Sequence, residues 1–174
     1  VTTPVHGQEV GRVRRLAGIR QCLEEHGLPE DHLEILSTSR KEFAKYPGDR
    51  AEYQNGYDRT IEALQNGTVS TAFIGNNDMT ALGIMDAIAE LGYKIPYDYS
   101  VCGFDNIPLA SMKQISLTTI EHATVQKGHE AVDLIHKKHS QDHSGRQPSY
   151  TVRLEYEPQL IVRNSTGKCR KNLR

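Results

Sequence analysis

The chain has 174 residues, of which 21 are basic and 22 acidic, giving a formal net charge of -1. At 37% hydrophobic content it is poor in apolar residues, yet a chain of this length buries about 70% of its unfolded surface, enough for one ordinary domain or a little more. The charge balance argues against a dedicated nucleic-acid surface, which needs a basic excess, and no apolar run approaches the roughly 18 to 20 residues of a membrane span.

Apolar residues at Val13, Leu16, Ala17, Ile19 and Leu23 predict an amphipathic helix over 12–26, with Gly27 as its stop. Leu33 to Ser37 reads as a short strand. Residues 38–50, with Pro47, Gly48 and several charges, read as a loop. Asp49 is a candidate cap for a helix over 50–66 that shows Tyr53, Tyr57, Ile61 and Leu64 on one face and ends at Asn66-Gly67. Thr71 to Gly75 is an apolar strand. Asn77 or Asp78 caps a helix through Leu91, closed by Gly92, and Tyr99 to Phe104 is the next strand. Further on come a strand at 117–121, a helix over 124–138, a polar loop at 140–148, strands at 151–156 and 160–163, and a basic tail over 167–174. The alternation of helix and strand predicts an α/β fold, a parallel sheet with helices on both faces.

In open parallel sheets, ligands sit beyond the carboxyl ends of the strands. That rule selects Asn76, Asn77 and Asp78, then Asp105 and Asn106, together with Pro4, His6 and the basic helix start at Arg12, Arg14 and Arg15. Carboxylate, amide and guanidinium together suit directional hydrogen bonding to a neutral polyol. Each group also has a structural explanation: Asn76–Asp78 as helix caps, Asp105-Asn106 as an Asx turn, two of the three arginines as a solvated helix face.

Cys22, Cys102 and Cys169 have no metal-binding spacing, and an odd number closes no disulfide framework, which fits a reducing compartment. His122, His129, His136, His139 and His143 cluster without a carboxylate or cysteine to complete a metal site. No phosphate loop, nucleophile elbow or zinc-protease motif is present, so the chain reads as a non-enzyme without cofactor or metal. The helix at 78–91 carries two apolar stripes. Ala81, Ile84, Ile88 and Leu91 can pack on the sheet. Met79, Leu82, Met85 and Ala89 must meet either a neighbouring helix or a second subunit.

The run Asn76-Asn77-Asp78-Met79-Thr80-Ala81-Leu82-Gly83, with Ile95-Pro96, Gly103-Phe104-Asp105-Asn106-Ile107-Pro108 and Leu117-Thr118-Thr119-Ile120, resembles the LacI/GalR family of bacterial transcription regulators. Arg15-Leu16-Ala17-Gly18, Gly128-His129-Glu130-Ala131 and Leu160 through Thr166 extend the likeness over nearly all of 1–166. The resemblance implies the fold of type I periplasmic binding proteins: two α/β lobes joined by three crossover strands, with a small effector between them. Residues 4–115 and 149–166 would form mainly the C-terminal lobe, and 117–139 a crossover and an N-terminal-lobe helix. A DNA-binding headpiece and most of the N-terminal lobe would lie outside this sequence, so operator DNA would be bound only through the headpiece.

By the same resemblance, Arg15, Asn77 and Asp105 are effector contacts. The position of the family's stacking aromatic falls on Ala51, so Phe43 or Tyr46 is expected to substitute for it. Leu82 and Met85 are expected in a twofold dimer interface. The implied protein is a cytoplasmic sensor, away from membranes, whose effector is a sugar first. A second reading is an extracytoplasmic sugar-binding protein serving a transporter, which usually lacks the Ile95–Pro108 block.

Overall fold

The computed structural model describes residues 2–3, 10–46, 48, 50–141 and 151–169. In chain order these form β1 (Thr2–Thr3), α1 (Val10–Glu25), β2 (Leu36–Ser37), α2 (Arg40–Phe43), α3 (Ala51–Gln65), β3 (Ala72–Ile74) and α4 (Asp78–Glu90). β4 (Ser100–Cys102), β5 (Thr119–Glu121), α5 (Thr124–Gln141) and β6 (Gln159–Ile161) follow. β1 pairs with β2 and β3 with β4, both parallel. β4 runs on into β5 through a parallel bridge between Cys102 and Thr118, and Asp105 N–H donates to the Ile120 carbonyl at 2.9 Å. β6 closes the series antiparallel to β5, with Thr119 opposite Ile161.

Strand alternation sends successive side chains to opposite faces, and the sheet is covered on both. Phe73 and Val101 are buried with Ala81, Ile84 and Ile88 of α4, joined by Tyr99 and Leu117. Ile74 and Cys102 point the other way, toward Leu16 and Ile19 of α1. α3 lies against α4 with Gly56 over the Thr80 carbonyl and Gly83 over the Tyr53 carbonyl, and a Cβ at either glycine would overlap that backbone. The α3–α4 seam is sealed by hydrogen bonds from the Tyr53 hydroxyl to Asp86 and the Tyr57 hydroxyl to Glu90.

Several expectations need correction. The strand expected at 33–37 shortens to Leu36–Ser37, because Glu30–His32 forms a 3-10 turn ahead of it. The expected loop at 38–50 contains α2, nucleated by a capping box in which Ser39 accepts from the Glu42 N–H while Glu42 accepts from the Ser39 N–H. Residues 151–156 form no strand, and the last strand begins at Gln159 instead of Leu160. In α3 the buried residues are Ala51, Asn55, Gly56, Thr60, Ala63 and Leu64; of the expected face Leu64 is buried, while Tyr53, Tyr57 and Ile61 are half-buried, because Gly56 sits where α3 touches the α4 backbone. In α1, Val13 is exposed, and Arg12, Arg15, Leu16, Ile19 and Leu23 form the half-buried stripe. Pro4, His6, Asp49 and residues 142–148 and 170–174 lie outside the described residues.

α5 stands apart from this packing. Its apolar stripe lies open, with Val125 78%, Val132 65% and Ile135 70% exposed. Its described neighbour is the returning segment, where Tyr156 sits under the Lys127 ammonium at 5.8 Å.

Candidate functional site

Three chain reversals at the carboxyl ends of β3, β4 and β5 deliver their side chains to one edge of the sheet, where the first turns of α1 meet them. After β3, Asn77 is the N-cap of α4: its Oδ1 accepts from the Thr80 N–H at 2.9 Å and the Thr80 hydroxyl at 2.8 Å. Its Nδ2 donates to Glu52, whose other oxygen holds Arg12 at 2.6 Å. Asn77 therefore spends its amide on the cap and on Glu52. After β4, Asp105 turns at φ 118 and Asn106 at φ 51. Asn populates that left-handed region more readily than most residues, and such backbone concentrates at functional sites.

The Asp105 carboxylate is the centre of the cluster. Its Oδ1 lies 3.7 Å from Arg15 Nη2 and 3.1 Å from His122 Nε2. Lys127 Nζ stands 3.3 Å from His122 Nδ1. The His122 imidazole thus stands between the Lys127 ammonium and the Asp105 carboxylate. Arg15 also donates to the Asn76 carbonyl at 2.5 Å and lies 3.7 Å over the Phe104 ring, whose centroid is 5.4 Å from the His122 ring in a stacked arrangement. Burial depresses the Arg15 guanidinium below its ordinary value, and the Asp105 charge opposes that shift. Roughly a third of each of these two side chains remains open to solvent.

Beneath this edge, Asp78 is fully buried and accepts from the Thr119 hydroxyl at 2.5 Å and the Ile107 N–H at 2.8 Å. Burial raises its carboxyl above the usual aspartate range, opposed by those two hydrogen bonds. Gly103 is required beside it, because a Cβ there would overlap the Asp78 carboxylate. Two concavities flank the cluster. One is an open cleft bordered by Asp105, Ile107, Glu121, His122 and Val125. The other is a 330 Å³ cavity between α1 and the sheet, bordered by Arg15, Ile19, Ile74 and Phe104.

The structure thus brings Arg15 and Asp105 together and sets Asn77 one residue from the Asn76 carbonyl that Arg15 holds. It does not bring Phe43 or Tyr46 to them. Those two rings meet each other edge-on at 6.0 Å, burial together with a hydrogen bond to Asp58 lifts the Tyr46 hydroxyl to about 12, and neither borders the two concavities. The aromatic face at the site belongs to Phe104. The solvated-face expectation also fails for Arg12 and Arg15, which are half-buried and partnered, and holds for exposed Arg14. Sequence reasoning passed over Phe104 as strand and read His122 only as a metal candidate. The strand-end rule, applied to the strand at 117–121, would have found His122. Among the described residues no group of three His, Cys, Asp or Glu is placed to hold a metal ion. Leu82 and Met85 are half-buried, and Met85 spends part of its surface against the chain's own core.

Sheet, helices and a polar cluster at the strand ends define an α/β lobe, and the comparisons name its class. Residues 1–166 match the family model of the periplasmic binding protein-like domain, and the chain belongs to that family, in its LacI-type branch of transcription regulators. It is 29% identical over 161 residues to the HTH-type transcriptional regulator DegA of Bacillus subtilis (strain 168), covering 92% of this chain and 43% of that protein. A LacI-family regulatory protein from Corynebacterium glutamicum superposes with a TM-score of 0.66 at 32% identity, covering 88% of this chain and 53% of that one. A LacI-family regulator from Enterococcus faecium with bound ribose gives 0.71 at 26% identity, with 89% and 51% covered. The chain thus spans less than half of DegA and about half of the two structures. No helix among the described residues is long and apolar enough to cross a membrane.

Proposed function

We propose that this chain is the effector-binding part of a cytoplasmic transcription regulator that takes a small polar ligand, a sugar, at the Asp105 edge of the sheet. The observation that carries the reading is the Asp105 cluster itself: a carboxylate acceptor and the Arg15 donor stand 3.7 Å apart at the strand ends, each about a third open to solvent. The hydroxyls of a pyranose or furanose ring can donate to the one and accept from the other. The ribose-bound relative supports the same ligand class. The ligand would favour one of two lobe arrangements and so alter operator binding through a DNA-binding headpiece.

In this reading, 4–115 and 149–166 form mainly the C-terminal lobe. Residues 117–139 supply a crossover and an N-terminal-lobe helix, for which the open stripe of α5 is suited. The regulator acts as a homodimer through the outer stripe of α4 at Leu82 and Met85. Leu82→Asp would bury an unpaired carboxylate there, so sedimentation should show a dimer for the unmutated protein and a monomer for the variant. A monomeric unmutated protein at high concentration removes the dimer from the reading.

The ligand test is calorimetric titration of the complete two-lobed regulator with D-ribose, other aldoses and disaccharides, the lobe alone holding only half of the cleft wall and binding weakly. Asp105→Ala should weaken the sugar that binds by about 1.5 to 3 kcal/mol, roughly ten- to a hundredfold, because a ligand hydroxyl loses a charged acceptor. An affinity unchanged by Asp105→Ala, or no sugar bound at all, overturns the assignment.

A further inference from the structure

We infer that Asn106 is a positioning residue that couples the ligand carboxylate Asp105 to the described part of the segment 122–158, the projecting α5 and residues 151–158, an inference that rests on Asp105 contacting the ligand. Within the described residues, that segment joins the packed body through β5 at one end and β6 at the other, and α5 within it is exposed along nearly its whole length. The angle at which it leaves is therefore set where β5 and β6 meet the body. Asn106 sits there, adjacent in sequence to Asp105, and both ends of its amide are taken. Its Oδ1 accepts from Arg163 Nη2 at 2.7 Å, two residues beyond β6. Its Nδ2 donates to Glu121 at 3.0 Å, the last residue of β5. Arg163 completes the clamp by donating through Nη1 to the Leu117 carbonyl at 2.7 Å, just ahead of β5.

One amide thus bridges the two strands that carry the projecting segment. Its left-handed backbone at φ 51 continues the turn in which Asp105 stands at φ 118. Ligand capture that rotates the Asp105 turn cannot leave the Asn106 amide in place, and through Glu121 and Arg163 it moves both roots of the segment together. Asp105 also reaches β5 through its N–H on the Ile120 carbonyl, but that bond touches one strand only. The bridge to both strands is the Asn106 side chain.

The test is Asn106→Gly, which accepts the left-handed backbone without strain and removes the side chain with its amide. Amide hydrogen exchange of the full chain is followed by mass spectrometry with and without D-ribose. Without ligand, the variant should exchange about tenfold faster at 119–121 and 159–161, with α4 unchanged, the scale expected from losing two charge-assisted hydrogen bonds in part replaced by water. With saturating D-ribose, the unmutated chain should gain protection in those strands. At its own saturating D-ribose concentration the variant should show no such gain, separating ligand occupancy from coupling. Unchanged strand exchange in the ligand-free variant, equal acceleration of α4, or a ribose-induced gain that survives the substitution would each overturn the inference. If the unmutated chain binds no sugar, the sugar reading fails, and the ligand-free exchange still decides whether Asn106 holds the two strands.

Discussion

Helices α4 and α5 carry similar apolar stripes and end in opposite situations. α4, 13 residues long, buries seven of them, including Ala81, Ile84, Ala87 and Ile88, between the sheet and α3. α5 is longer at 18 residues, yet Val125, Val132 and Ile135 stay open to solvent. An apolar stripe records a demand for a partner and says nothing of where the partner is. For α4 the partner is Phe73, Val101 and Leu117 of the same chain. For α5 the described residues supply little beyond the segment around Tyr156. The packed half holds Asp105 and Asp78, while the projecting half begins at Glu121 and His122, which reach Asn106 and Asp105 from the end of β5.

The sharpest break of this comparison is a matched pair of truncations. Ile88→Ala empties a fully buried site and should cost about 2 to 5 kcal/mol in urea unfolding, by lost transfer energy plus the cavity left behind. Ile135→Ala on α5 should stay within about 0.5 kcal/mol in the same chain, because its side chain is already solvated. Equal losses at both positions would mean that α5 is buried in solution by an association of its own.

A smaller effect sharpens the contrast within the packed half. The carboxyl of Asp78 is raised on folding, chiefly by burial, so the folded chain binds its proton more tightly than the unfolded chain does. Its contribution is therefore fully present below the ordinary aspartate value of about 3.9 and is lost as pH rises through the raised value. Half-buried Glu121 is shifted the other way, chiefly by the hydrogen bond from Asn106, and contributes stability above the ordinary glutamate range that is lost as pH falls. Urea midpoints followed from about pH 3 to 7 should show a downward component that vanishes in Asp78→Asn, whose amide does not titrate in this range. A profile identical in that variant would show that Asp78 does not titrate differently in the folded state.

What the sequence determined by itself is local. Short apolar runs broken by glycines predicted β3, β4 and α4 nearly to the residue, and Gly27, Gly67 and Gly92 each take the positive φ that ends a helix. Asn77 was legible as a cap because a side-chain acceptor three residues ahead of a free N–H is a property of one turn of chain. Asp105 and Arg15 were legible as site residues by strand-end position and by resemblance. The remainder was decided at a distance. The buried face of α3 is small and polar because α4 approaches it at Gly56 and Gly83, a condition 27 residues away that no periodicity carries. Phe104 and His122 join the site because β4 and β5 are neighbours in the sheet, and Asn106 finds Arg163 57 residues on for the same reason. Capping and strand alternation act over a few residues and leave a mark in the sequence. The pairing of distant surfaces is fixed only when the whole sheet assembles, and the open stripe of α5 shows where that assembly stops within this chain.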